Sequence, residues 1–203
     1  MKLLLSLSLA CALASVAVSA EGAKFTLTSV DIKPYGEIAN KFVYQGFGCK
    51  GENVSPALSW SGAPKGTMSF ALLVHDPDAP TGGAGWWHWV VYDFPADSSS
   101  IAQGAGTADG AALPKGTKQG RTDFGSADWG GPCPPVGHGK HRYKFTLHAL
   151  KVAKLAIPDG ASAALIGYMV NANSLGSATL TGLYGRGSIA NLRDYSRARR
   201  PTK

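Results

Sequence analysis

Residues 141–150 alternate strictly. His141, Tyr143, Phe145, Leu147 and Ala149 fall on one side, and Arg142, Lys144, Thr146 and His148 on the other. A period of two is the pattern of a half-buried β-strand. The first set faces the core, so His141 stands at the mouth of a buried face and His148 is expected at the surface. The same period or a short apolar run marks further strands. These are Phe25–Thr28, Leu58–Trp60, Ser69–Asp76, Trp87–Phe94 ending at Pro95, and Ala178–Tyr184. One helix is expected around Ala161–Ser174, with Leu165, Tyr168, Met169 and Ala172 on its apolar face and Asp159 as its cap. Residues 97–140, rich in Gly, Ser and Pro, read as long surface loops of the kind that carry function.

Strand parity places Asp76 with Phe70, Leu72 and Val74, and His88 with Val90 and Tyr92. If the strands ending at Asp76 and beginning near His88 pair antiparallel, both side chains lie at one end of a sheet. Two segments concentrate chemistry there. One is Asp76-Pro77-Asp78-Ala79-Pro80 followed by Gly85-Trp86-Trp87-His88-Trp89. The other is Gly130-Gly131-Pro132-Cys133-Pro134-Pro135 leading to His141-Arg142-Tyr143. No common cofactor fingerprint competes with them, and no cofactor is expected.

The ends of the chain belong to something other than the fold. Lys2, the apolar run Leu3–Val18 and the small residues Val18-Ser19-Ala20 form a secretory signal peptide over 1–20. The run is short for a membrane span, and no positive cluster follows it. No later apolar run is long enough to cross a bilayer, so no integral membrane segment is expected after cleavage. A single domain over 21–186 follows, then a basic tail over 187–203 that is expected to be disordered.

The formal charge is +7, but Lys2 leaves with the leader. Residues 193–203 hold five basic side chains against Asp194, so 21–192 keeps a net charge of +2. That is too little for a nucleic-acid-binding face. Cys49 and Cys133 remain after cleavage, an even number in an exported chain, and a disulfide is the reading that compartment favours.

An Asp beside a His at the rim of an apolar pocket raises the imidazole pKa, so that an imidazolium meets an anion near neutral pH. Free amides near Gly130 and Gly131 would add donors, and Trp86, Trp87 and Trp89 would wall the site. The ligand implied is a small anion or a phosphate head group. A metal site built from His138, His141, His75, Asp76 and Asp78 is the first competitor. It is disfavoured because His138 lies in a Gly-rich segment and His75 has the opposite parity to Asp76. Hydrolysis is the second, but there is no Gly-x-Ser-x-Gly elbow and no serine with an activating context.

At these residues the chain resembles the phosphatidylethanolamine-binding protein family, in its bacterial Raf-kinase-inhibitor-like branch. The resemblance rests on Asn53-Val54-Ser55-Pro56-Ala57-Leu58-Ser59-Trp60, the Asp76–Pro80 and Trp86–Trp89 segments, Gly120-Arg121-Thr122-Asp123-Phe124-Gly125, Gly131–Pro135 and His141–Tyr143. The signal peptide and two cysteines are similar to an exported, periplasmic subgroup. The resemblance implies a mainly β fold: a large central antiparallel sheet flanked by a smaller sheet and a few helices. It implies a pocket at one end of that sheet made by Asp76, Asp78, His88 and His141 and lined by Tyr143 and Trp87, with a cis peptide at Ala79–Pro80. In that pocket His88 and His141 would donate to the ligand, Asp76 would charge an imidazole, and Asp78 would fix the turn or accept from a ligand amine. The family also implies a non-enzymatic role, and in some members contact with a kinase or protease partner.

Overall fold

The computed structural model describes residues 24–187. The expected leader and all of the expected tail but Gly187 lie outside the described residues. In chain order the strands are β1 (Thr26–Thr28), β2 (Gln45–Gly46), β3 (Cys49–Lys50), β4 (Leu58–Ser61) and β5 (Ser69–Asp76). They continue as β6 (Trp86–Pro95), β7 (Ser100–Ile101), β8 (Lys118–Gln119), β9 (Gly139–Leu150) and β10 (Ser174–Arg186). A helix, α1 (Ala163–Asn173), connects β9 to β10. The expected loop region 97–140 thus contains two short edge strands.

Five strands in the order β10-β9-β5-β6-β8 form the large sheet, and β1-β4-β7 form a smaller one. Every ladder in both is antiparallel. The fold is therefore mainly β, as expected. β5 lies at the centre and is covered on both faces, which is why its sequence, Ser-Phe-Ala-Leu-Leu-Val-His-Asp, runs apolar without alternating. Phe70, Leu72 and Val74 point toward the smaller sheet and join Leu27, Leu58, Trp60, Val91 and Phe145 in one core. Ala71 and Leu73 point the other way and join Val90, Ile166 and Val170 under α1.

Three expectations fail on the α1 side. The helix buries Ala163, Ile166, Gly167 and Val170, while Leu165 and Tyr168 are exposed. Ser162 caps it in place of Asp159, its Oγ accepting from the Leu165 N–H at 3.1 Å. His148 is buried, not at the surface, because that face of β9 lies beneath the helix layer. Its Nδ1 lies 3.2 Å from Ser174 Oγ, and desolvation pushes its pKa down.

A fourth expectation fails on β6, and it matters more. Val74 pairs with Trp89, but His75 pairs with Trp87, so His88 is an extra residue opposite β5. A β-bulge of this kind reverses the side-chain parity of everything beyond it. Trp89 and Val91 keep to the face of Val74, as the core contacts require. His88 joins that face instead of the face of Val90 and Tyr92. Trp87 turns to the α1 side, where it packs into the second core.

The hairpin β2–β3 stands beside the 131–133 segment, where the Tyr44 N–H donates to the Pro132 carbonyl at 3.1 Å. Cys49 at the start of β3 is disulfide-bonded to Cys133, as compartment and cysteine count suggested. The two cysteines are 84 residues apart, so the chain-entropy model gives a stabilisation of up to about 4–5 kcal/mol. The Cys49→Ala/Cys133→Ala double variant is expected to lower the free energy of unfolding in denaturant by about 2–5 kcal/mol. An unchanged unfolding midpoint would contradict this role.

Candidate ligand site

One end of the large sheet closes on a cavity of about 310 Å³. Asp76 ends β5, Trp86 and His88 begin β6, and His141 and Tyr143 begin β9. Antiparallel pairing of β5 with both neighbours brings these three ends together. Phe124 and the run Cys133–Pro135 close the sides, with Phe47 at the rim. No cluster of three or more His, Cys, Asp or Glu side chains suited to a metal occurs among the described residues.

Asp76 organises one wall. It is 3 % exposed, and both carboxylate oxygens are engaged. Oδ1 accepts from the Asp78 N–H at 2.8 Å, and Oδ2 accepts from His141 Nδ1 at 2.7 Å. A carboxylate on Nδ1 can only accept, so that nitrogen carries a ring proton and the imidazole's orientation is fixed. The other nitrogen of His141, Nε2, lies 2.8 Å from Nδ1 of the exposed His138.

Asp78 does different work. Its carboxylate takes Arg142 Nε at 2.9 Å, Arg142 Nη2 at 2.6 Å and the Arg142 N–H at 2.9 Å. The Arg142 guanidinium pulls the Asp78 pKa down to about 2. Asp78 thus binds the β5–β6 connection to β9 from outside the cavity. The same connection is closed by the Asp76–Asp78 turn and by the Thr81 N–H on the Ala79 carbonyl at 2.8 Å. The expected cis peptide at Ala79–Pro80 is absent: no peptide bond among the described residues is cis. These hydrogen bonds close the turn with every peptide trans.

His88 forms the second wall. Its Nδ1 lies 2.6 Å from the Gly130 carbonyl, and the Gly130 N–H donates back to the His88 carbonyl at 2.9 Å. A carbonyl oxygen can only accept, so Nδ1 carries the ring proton. Burial pushes the His88 pKa down to about 4, against the opposing pulls of the Gly130 carbonyl and the Asp76 charge. His88 is therefore a neutral imidazole whose Nε2 offers a lone pair. The expectation that it donates to a ligand is reversed, because desolvation outweighs the nearby carboxylate.

The carbonyl that fixes His88 is itself held. Asn53 Oδ1 accepts from the Gly131 N–H at 2.8 Å, and Asn53 Nδ2 donates to the Trp129 carbonyl at 2.9 Å. Glycine is required here. A Cβ at Gly131 would lie 2.1 Å from the Phe42 carbonyl oxygen, and one at Gly130 would lie 2.2 Å from the Phe124 ring.

The floor is Tyr143. It is fully buried and meets His88 edge-on at 5.0 Å between ring centroids. Burial pushes its pKa up, so the hydroxyl keeps its proton. That buried hydroxyl has no hydrogen-bond partner, and neither does the buried Nε1 of Trp86. Both residues line the cavity. An unpaired buried donor costs about 1–3 kcal/mol, and a polar ligand recovers it.

Comparison with known proteins gives the family. The profile described as phosphatidylethanolamine-binding protein matches residues 28–185. The chain belongs to the phosphatidylethanolamine-binding protein family. It is 49 % identical over 172 residues to UPF0098 protein YbcL of Escherichia coli K12, spanning 85 % of this chain and 93 % of that one. UPF0098 protein YbhB of the same organism is 44 % identical, over 78 % of this chain and 98 % of its own. LppC of Mycobacterium tuberculosis H37Rv, named as a candidate lipoprotein, is 41 % identical over 68 % of this chain and 63 % of its own. The crystal structure of E. coli YbcL, titled a new member of the mammalian PEBP family, superposes with a TM-score of 0.78. That match covers 80 % of this chain and 99 % of YbcL.

Four of the six residues expected in this family's pocket meet at the cavity: Asp76, His88, His141 and Tyr143. Asp78 holds the frame from outside. Trp87 is not in the cavity, because the bulge at His88 turns it onto His75, 4.3 Å away between ring centroids. Trp89 is buried in the core against Trp129. Only Trp86 of the three indoles walls the site. Phe124 was missed as a lining residue. Its loop is anchored by Asp123, whose Oδ2 accepts the Trp87 N–H at 2.7 Å and whose own N–H donates to the Trp87 carbonyl at 3.2 Å. An Asp-Phe pair just before a long loop's Gly was the one available signal.

The state of His88 is open to direct measurement. A histidine whose pKa falls from about 6.5 in the unfolded chain to about 4 in the fold binds fewer protons when folded. Stability is then lost as pH falls from about 6.5 to 4. Ring ¹⁵N spectra are expected to show His88 neutral and protonated on Nδ1 from pH 8 down to pH 5. A midpoint near 6.5, or a proton on Nε2, would contradict the assignment.

Proposed function

We propose that this protein is an exported, non-enzymatic binder of small phosphate-bearing anions. The reading is carried by the Tyr143 hydroxyl, a buried, unpaired donor in a cavity that also collects Asp76, His88 and His141. Apolar walls exclude water and strengthen each polar contact made inside. The Asp76 carboxylate holds His141 through Nδ1, which keeps the imidazole at the cavity wall beside His138. A binding role without turnover is supported by the lining. It holds no serine, and its cysteine, Cys133, is tied in a disulfide.

Export is supported by three observations of different kind: the leader pattern over 1–20, the Cys49–Cys133 disulfide, and the lipoprotein name of the relative LppC. No helix among the described residues is long and apolar enough to cross a membrane. In a Gram-negative cell the compartment would be the periplasm.

Calorimetric titration tests the binding. Phosphoethanolamine is expected to bind the wild-type protein near pH 6. Tyr143→Phe removes one hydroxyl from an otherwise intact wall. It is expected to weaken binding about 10–100-fold, the worth of one hydrogen bond to a charged group. Equal affinity in the two proteins would remove this cavity from the binding site.

A further inference from the structure

The proton inventory of the cavity restricts the ligand beyond its being an anion. The Nδ1 proton of His88 is committed to the Gly130 carbonyl at 2.6 Å. That carbonyl cannot turn away, because the reciprocal Gly130 N–H bond and the Asn53 contacts to Trp129 and Gly131 hold the segment on both sides. The ring cannot flip without putting carbon against the same carbonyl. With burial holding the ring neutral, the nitrogen left for the cavity, Nε2, can only accept. A ligand oxygen with no hydrogen would set lone pair against lone pair there.

We propose that the cavity selects phosphorus oxyacids that keep one proton: a phosphomonoester monoanion in preference to its dianion, and a monoester in preference to a phosphodiester. This rests on the reading of the cavity as a phosphate site. The P–O–H of a monoester monoanion donates to His88 Nε2. Its remaining oxygens accept from Tyr143 Oη–H and Trp86 Nε1–H, the two cavity-lining residues whose buried donors lack protein partners. A phosphodiester carries the same single charge but has no P–O–H to give. A dianion has lost that hydrogen and brings a second negative charge into a cavity lined by the Asp76 carboxylate.

The charged and titratable groups around His88 are few. Asp76 approaches from β5, His141 and Tyr143 from β9, and His75 lies on the opposite face of β5. Phe124 packs against the ring edge-on at 5.4 Å and carries no charge. The burial that holds His88 neutral through the range in which a phosphomonoester loses its second proton, near pH 6, agrees with the geometry.

The test separates titration of the ligand from titration of the protein. Calorimetry on the wild-type protein would follow three probes from pH 5 to pH 8.5 at fixed ionic strength: methyl phosphate, methylphosphonate, whose second pKa is higher, and dimethyl phosphate. Affinity for methyl phosphate is expected to fall at least about tenfold as it becomes a dianion. The midpoint for methylphosphonate should move upward with that ligand's own second pKa. Dimethyl phosphate should bind at least about tenfold more weakly than methyl phosphate at pH 5. A midpoint shared by the two monoanion-forming ligands would assign the pH dependence to a protein group and overturn the proposal. So would dimethyl phosphate binding as tightly as methyl phosphate. Binding of none of the three at any pH would instead overturn the phosphate-site reading itself, and this inference with it.

Discussion

One buried carboxylate holds the functional end of this molecule together. Asp76 closes the turn after β5 with one oxygen and fixes the β9 imidazole of His141 with the other. Neither bond is replaceable by water, because the carboxylate is almost fully enclosed. Removing one member of a buried hydrogen-bonded pair leaves the other unsatisfied, at a cost of about 1–3 kcal/mol or more. The position is available only because β5 is the central strand of the large sheet. Its C-terminal end is the one place where the starts of β6 and β9 are both adjacent.

Around that carboxylate the protein holds its two histidines in different ways. His141 gives its Nδ1 proton to the Asp76 carboxylate. His88 gives its Nδ1 proton to a neutral carbonyl, and desolvation favours its neutral ring. Two residues of one type, sharing a cavity, are thus fastened by different partners. The same logic governs Tyr143, whose burial keeps a proton on the hydroxyl and makes it a donor at any physiological pH. Rigidity comes from outside: the Cys49–Cys133 disulfide, the Asp78–Arg142 pair and the Asn53 side chain each fasten one wall.

The legible parts of the sequence were those set by strand period. Alternation in β9 placed His141 and Tyr143 correctly, and the parity of β5 placed Asp76 on the core face. Resemblance in motif added the fold. The errors share one origin, residues whose environment is made by a distant segment. The bulge at His88 is a property of register with β5, and Trp-Trp-His-Trp has no alternation from which to detect it. It exchanged Trp86 for Trp87 in the cavity wall. His148 looked polar and exposed within its strand, but the helix layer covers that face. The tautomer of His88 depends on the Gly130 carbonyl, 42 residues away in sequence.

The most direct measurement is a crystal structure of the protein soaked with methyl phosphate at pH 5. The account places the phosphorus in the cavity, with one oxygen on His88 Nε2 and another on Tyr143 Oη. Ordered phosphate elsewhere, with this cavity holding only solvent, would contradict it.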